Sequence, residues 1–271
     1  MTSFVEFSLV SYCVNECRFC PQDLLKKNYT GRKQMTLETF KTAIDKLPKS
    51  TISIAGFSEP FVNQSCTDMI EYATGKGHTV IVYTTLVGMT IEQYERLKKN
   101  YSVRSLIIHL PDKEGNTKIK ITEQYKELLR HIRMYPAGAW CSVDYSVHGS
   151  AVHSDLIDII NLRPTYRIHD RCGTLKTDDK TVHKVHWEGG AIVCTNGFGA
   201  DQSGVILPNG DVVFCCMDFS LKYKLGNIFD SSWEELMASD IRKRIIDDRM
   251  TGEQDEICRH CAEAGMGETR W

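Results

Sequence analysis

From residue 4 to about residue 170, short apolar runs alternate with segments of helical period. A chain that alternates in this way is driven toward βα units packed around a parallel sheet. Val5 to Val10 reads as the first strand. Leu37, Phe40, Ile44 and Leu47 recur at helical spacing behind Thr36, which is placed to cap them, and strand two follows from Thr51 to Ala55. Met69, Ile70 and Ala73 mark the next helix, closed by Gly75 and Gly77 before the β-branched strand Thr79 to Thr84. Thr90 and Gln93 fit a capping box for a helix whose inner face is Ile91, Tyr94 and Leu97. Strand Ser105 to His109 with helix Thr122 to Met134, then strand Trp140 to Tyr145 with helix Ser154 to Leu162, continue the series. Pro164 breaks that last helix, and Tyr166 to Ile168 would be the sixth strand. A closed barrel needs eight such units. The pattern therefore predicts an α/β fold, a partial (β/α)6 TIM-like barrel over residues 1–175.

Beyond residue 175 the pattern changes. Residues 176–190 are polar and irregular, and Val205 to Leu207 with Asp211 to Phe214 reads as a β-hairpin turned by Pro208-Asn209-Gly210. Ser231 and Glu234 can cap a helix through Trp233, Leu236, Met237 and Ile241. Residues 176–271 are thus expected to form a second, small, cysteine-bearing unit of hairpin plus helix.

The cysteines carry most of the chemistry. There are eleven, at 13, 17, 20, 66, 141, 172, 194, 215, 216, 258 and 261. An odd count does not suit a closed disulfide framework, and no signal peptide opens the chain, so a cytoplasmic setting and metal-ligating thiols are expected. Lys and Arg total 33 against 35 Asp and Glu, which offers no basic field to attract nucleic acid. No apolar run is long enough to span a membrane.

Cys13, Cys17 and Cys20 stand in YCVNECRFCPQ directly after a strand, where a loop at the end of a parallel sheet can bring three thiolates to one point. A four-iron cluster held by three thiolates leaves one iron open, whereas zinc would need a fourth ligand from elsewhere in the chain. The spacing, with Phe19 before the last cysteine, resembles that of the radical SAM superfamily. Gly56-Phe57-Ser58-Glu59-Pro60 after strand two resembles the family's Gly-Gly-Glu-Pro segment, departing at the second glycine, and Tyr83-Thr84-Thr85 loosely matches its Thr-Asn-Gly. The resemblance implies that S-adenosylmethionine chelates the open iron, that Glu59 receives its ammonium and that Phe19 lies near the adenine. Gly56, Ser58 and Thr85 fall in the same implied cofactor site, and Lys120 and Ser142 are candidates for its carboxylate and ribose.

Cys194, Cys215, Cys258 and Cys261 supply four thiolates, which suits a complete four-iron cluster or a zinc ribbon equally well. With Asn209-Gly210-Asp211, Leu225-Gly226-Asn227-Ile228, Trp233 and Arg171-Cys172-Gly173 they resemble, in order, the SPASM/twitch extension of radical SAM enzymes. The full SPASM form carries further cysteines after the terminal pair and Gly265 to Trp271 has none, so the resemblance implies one auxiliary cluster, the twitch form.

Two four-iron clusters and S-adenosylmethionine are therefore the expected cofactors, with a reductant such as flavodoxin or ferredoxin as partner. The implied chemistry is reductive cleavage of S-adenosylmethionine to a 5′-deoxyadenosyl radical and hydrogen abstraction from a small-molecule or peptide substrate, with dehydrogenation as the net reaction. Radical epimerisation and peptide maturation are alternatives, as is a non-catalytic zinc protein. The cluster loop begins at residue 13, which leaves no room ahead of it for a peptide-binding domain and favours a small substrate. Cys172 and Cys216 are candidate hydrogen donors or spare ligands, His109 and Arg171 candidate substrate contacts, and Cys66 and Cys141 are expected to be buried packing thiols.

Overall fold

The computed structural model describes residues 3–161, 168–195 and 203–266. Five strands follow the β-branched and apolar runs: β1 (Ser3–Phe7), β2 (Ser50–Ile54), β3 (Thr79–Thr84), β4 (Val103–Leu110) and β5 (Ser142–Val147). Each pairs in parallel with the next. Antiparallel neighbours would need only a hairpin, whereas parallel ones need a crossover. The crossovers here carry α1 (Gln22–Asn28), α2 (Leu37–Asp45), α3 (Cys66–Gly75), α4 (Ile91–Lys98) and α5 (Glu123–Met134).

The helix starts obey their local chemistry. The hydroxyl of Thr36 accepts from Thr39 N and that of Thr90 from Gln93 N, both in reciprocal capping boxes. Thr122 caps α5 through Tyr125 N. The inner faces are those read from periodicity: Phe40, Ala43 and Ile44 on α2, Met69, Ile70 and Ala73 on α3, and Leu128, Leu129 and Ile132 on α5 are all buried in one apolar cluster with the sheet.

Three features differ from the sequence reading. Ser154 to Asn161 is not an α-helix, Leu162 lying outside the described residues; Ser154–Leu156 forms one 3₁₀ turn and residues 157–159 turn again, with Leu156 and Ile160 still buried. A segment this short, closed by Pro164, cannot recover the cost of helix nucleation. The C-terminal cap is one residue later than expected, formed by Ser232 and Glu235, and the helix it opens is split into α6 (Trp233–Met237) and α7 (Asp240–Thr251). The predicted sixth strand lies, for Tyr166 and Arg167, outside the described residues.

The hairpin forms as β7 (Ser203–Ile206) and β8 (Asp211–Val213), with β9 (Lys224–Asn227) beside it. It does not stand apart from the barrel strands. β7 pairs in parallel with the free edge of β1, giving one sheet in the order β5-β4-β3-β2-β1-β7-β8-β9. A small ladder of β6 (Ile192–Cys194) and β10 (Ala264–Met266) closes the C-terminal region. The fold is the expected open α/β barrel-like sheet with a C-terminal auxiliary region. No helix among the described residues is long and apolar enough to cross a membrane.

Because Thr90 holds the α4 terminus through both arms of its capping box, Thr90→Ala is expected to lower unfolding free energy by about 1 kcal/mol in urea titration, with an unchanged m-value.

Candidate functional site

The loops at the C-terminal ends of the parallel strands surround a cavity of about 250 Å³. Cys13, Cys17 and Cys20 all line it, on the loop that leaves β1. That loop is propped from outside. Asn15 Nδ2 donates to Thr85 Oγ1 at 2.8 Å, and Arg18 N donates to Asn116 O at 2.8 Å. The buried Asp112 carboxylate gathers the amides of Glu114, Asn116 and Thr117 at 3.1, 2.9 and 2.6 Å, which fixes the segment that Arg18 leans on.

Burial, reinforced by the neighbouring thiols, raises the Cys13 pKa to about 11 and that of Cys17 to about 12. Cys20 is raised too, by burial, with Arg171 partly opposing. Three converging thiols kept protonated chiefly by burial are an arrangement that a bound cation would stabilise as thiolates. The donor set therefore fits a metal centre.

Around these thiols stand most of the expected cofactor residues. Glu59 is only 2% exposed and lies at the cavity wall. Its carboxylate accepts from Thr84 Oγ1 at 2.7 Å, from Thr85 N and Oγ1 at 2.6 Å each, and from Phe61 N at 3.3 Å. Burial nevertheless pushes its pKa up. Gly56 has φ +69°, and a Cβ there would come within 2.5 Å of Ser8 Cβ, so the backbone can pass at this point only without a side chain. Ser58 lines the cavity with its hydroxyl committed to Val10 O at 2.7 Å. Phe19 packs on His148, ring centroids 4.4 Å apart, with the Arg171 guanidinium 5.9 Å above it.

The expected substrate contacts His109 and Arg171 both face this cavity, joined by His148 and His169. His109 Nδ1 lies 2.9 Å from His148 Nε2 and 3.0 Å from Ser146 Oγ. Burial first, then the Arg171 charge, holds His109 and His169 down to about 4; burial and His109 hold His148 down to about 2. The wall thus presents one guanidinium among three neutral imidazoles.

Two expected residues are elsewhere. Ser142 opens β5, paired with Ser105 at the opposite end of the strands from the cavity, and its hydroxyl donates to Ser105 Oγ at 2.9 Å. The strand starts two residues later than read, which moves Ser142 from the strand's middle to its outer end. Lys120 is exposed and does not line the cavity, its long cation remaining in solvent.

Cys194, Cys215, Cys258 and Cys261 line a second, smaller cavity of about 70 Å³. Cys194 ends β6, Cys215 follows β8, and Cys258 lies in a 3₁₀ turn at Ile257–His260 that Cys261 closes. The turn is clamped by Arg259, which is 1% exposed. Its guanidinium donates to Gly189 O and Gly190 O at 3.0 and 2.8 Å and to Asp248 O. The Asp248 carboxylate receives Gln254 N and Glu256 N at 2.6 and 2.9 Å, and Asp218 does the same work after Cys215-Cys216, receiving Lys222 N and Tyr223 N at 3.1 and 2.8 Å. Burial and the neighbouring thiols push the Cys258 pKa up.

Among the described residues, the trio of His, Cys, Asp or Glu ligand atoms that lie within 4.8 Å of one another is that of His186, Asp255 and His260.

Glu6, Cys216, Met217 and Glu263 line both cavities. Glu6, on β1, is 6% exposed, and burial raises its pKa to about 7 despite Ser53, Gly56, Cys216 and Arg171 nearby. Sequence reasoning passed over it, although a lone carboxylate between Val5 and Phe7 in an apolar run is a signal. His148, His169, Asn15 and Asp112 had no such signal. Cys66 and Cys141 are buried in the apolar core as expected, and Cys172 lies beside Cys261 at the second site.

Residues 194–262 match the family model SPASM, described as an iron–sulfur cluster-binding domain. Among solved structures the chain is similar to BtrN in complex with AdoMet and 2-DOIA, at 18% identity over 92% of this chain and 87% of that one, TM-score 0.62. It is also similar to native anSMEcpe with bound AdoMet, at 13% identity over 97% and 86%, TM-score 0.58. Streptococcus suis SuiB bound to precursor peptide SuiA matches at 13% identity over 91% and 67%, TM-score 0.58. No curated protein sequence matches significantly. At such identities the structural likeness is one of fold. With the family match over residues 194–262 it agrees with the radical SAM, SPASM/twitch resemblance carried by the sequence motifs.

Arg259→Leu would remove the side-chain donor to Gly189 O and Gly190 O and one of the two donors to Asp248 O, the other being Gly252 N, at about 1 kcal/mol each. We expect the variant to lose about four irons per chain, one cubane, by chemical iron assay, while about four remain at Cys13, Cys17 and Cys20. Arg259→Lys, which cannot span three acceptors, is expected to lose most of the same iron.

Proposed function

We propose that the chain is a radical SAM enzyme of the twitch type that dehydrogenates a small substrate. The observation that carries this reading is the separation of the thiols into a set of three and a set of four, each lining its own cavity, with the two cavities sharing the Glu6 side of β1. On this reading residues 1–175 bind S-adenosylmethionine and one 4Fe-4S cluster, and residues 176–271 bind an auxiliary 4Fe-4S cluster. When bound, these groups supply a 5′-deoxyadenosyl radical able to remove hydrogen from unactivated carbon and an acceptor for the electron that dehydrogenation releases. An external one-electron donor such as flavodoxin or ferredoxin completes the partners.

The chain's own residues bind and orient. Cys13, Cys17 and Cys20 would hold the cluster through three thiolates, one fewer than its irons, so that the amino acid end of S-adenosylmethionine could bind the remaining one. Glu59 receives the ammonium, aided by Thr85, whose amide and hydroxyl both donate to its Oε2. Gly56 and Ser58 form the rim along which the cofactor lies, and Phe19, backed by His148, offers an aromatic face to the adenine. Arg171 and His109 face the substrate: the guanidinium suits an anionic or hydroxyl group, and the neutral imidazoles suit polar uncharged ones. Cys194, Cys215, Cys258 and Cys261 saturate the second cluster, which leaves it to move electrons and not to hold substrate.

A second reading, redox-neutral epimerisation, draws on Cys216. Its thiol lines both cavities and is kept protonated by its contact with Cys215 and by burial, as a hydrogen-atom donor must be. Peptide substrates are named for the relatives SuiB, bound to precursor peptide SuiA, and anSMEcpe, bound to the Cp18Cys peptide.

Anaerobic reconstitution with iron and sulfide is expected to give about eight irons per chain, falling to about four when Cys13, Cys17 and Cys20 are replaced by Ala. The intact enzyme, once reduced by dithionite, should release 5′-deoxyadenosine and methionine, and the triple variant none. A zinc-only protein inert toward S-adenosylmethionine would sink the proposal. Gly56→Ala, with its Cβ forced against Ser8, should weaken S-adenosylmethionine binding at least tenfold in equilibrium dialysis while leaving the iron count intact.

A further inference from the structure

Outside both cysteine cavities, three metal-binding side chains from two distant segments bring their donor atoms to one place. His186 Nε2 and His260 Nε2 each lie 3.0 Å from the same carboxylate oxygen, Asp255 Oδ1, and all three donor atoms fall within 4.8 Å of one another. The two imidazoles stack with ring centroids 4.8 Å apart and planes 3° from parallel, so both reach the carboxylate from the same stack. Nitrogen and oxygen ligands held about 2.0–2.2 Å from one ion stand roughly 2.9–3.4 Å apart at angles between a right angle and a tetrahedral one, and the 3.0 Å separations fall in that interval. None of the three residues lines either cavity. Their backbone is fixed by other groups. Trp187 N donates to Arg259 O at 2.8 Å and Trp187 Nε1 to Cys261 O at 3.2 Å, which holds His186 against the turn that carries His260. On either side of Asp255, Gln254 N and Glu256 N donate to the Asp248 carboxylate at 2.6 and 2.9 Å.

We propose that His186, Asp255 and His260 form a binding site for a divalent first-row cation of the zinc class, separate from the cysteine sites. Two imidazoles and one carboxylate are donors such an ion accepts, whereas magnesium and calcium take oxygen ligands. The imidazoles bind through Nε2 with the ring proton on Nδ1, and because His186 and Asp255 are exposed the remaining coordination positions go to water. His260 stands between Cys258 and Cys261, so an ion here ties residue 186 to the turn that carries Cys258. The site owes nothing to what occupies the cysteine cavities.

The test uses the full chain, reconstituted anaerobically with iron and sulfide, dialysed against buffered zinc chloride and assayed for zinc and iron per chain. The intact chain should retain about one zinc more than the double variant His186→Ala with His260→Ala, and Asp255→Asn should bind that zinc at least tenfold more weakly. The difference between the zinc K-edge spectra of the intact chain and the double variant should fit nitrogen and oxygen neighbours at about 2.0–2.1 Å. Equal iron in all of them reports an intact fold. The inference is overturned if intact chain and double variant hold the same zinc, or if the zinc that distinguishes them has sulfur neighbours at about 2.3 Å, the mark of a cysteine site. Should the double variant lose iron, Asp255→Asn decides alone, and zinc affinity equal to that of the intact chain overturns the site. An intact chain that takes up no iron would sink the cluster reading and leave the zinc difference to judge this one.

Discussion

Crowded, buried sulfur is the constraint around which this molecule is arranged. Eight thiols line two cavities with little cationic charge between them, and burial alone drives several toward the protonated form. Such sites are stable as thiolates only when a cationic centre enters. Much of the surrounding architecture can be understood as holding the thiol-bearing loops in place until that happens. Three buried or nearly buried carboxylates, Asp112, Asp218 and Asp248, do this in the same manner, each collecting amide donors from the loop that follows it. A loop fixed by charge-assisted hydrogen bonds keeps its shape without a core of its own.

The sheet performs the second organising task. Parallel strands deliver their loops to one end, and it is there that the cysteine loop after β1, the Gly56 to Pro60 segment after β2 and the Thr84-Thr85 end of β3 come together. Glu59 shows how tightly these loops are tied, since its carboxylate joins the loop after β2 to that after β3 through three hydrogen bonds. The pairing of β7 with β1 then brings the C-terminal cysteines alongside the same strand.

Where a feature was local and repeated, the residues revealed it. The caps at Thr36 and Thr90, the strand Thr79–Thr84 and the hairpin turn at Asn209-Gly210 follow from propensity and side-chain hydrogen bonding within a few residues. The three- and four-cysteine groupings were legible because metal ligation imposes spacing. What escaped was decided by tertiary placement. A strand start misplaced by two residues sent Ser142 to the wrong end of the sheet, and a brief apolar run at Leu156 to Ile160 looked like a helix although it forms isolated turns. Glu6, His148 and His169 reach the cavity from different elements with no shared spacing, so nothing short of the fold could group them.

β1 separates the two chambers by little more than its own side chains, with Glu6 facing both, and Met217 also belongs to each. The partition is therefore common property. A substitution at Glu6 or Met217 alters the walls of both chambers at once.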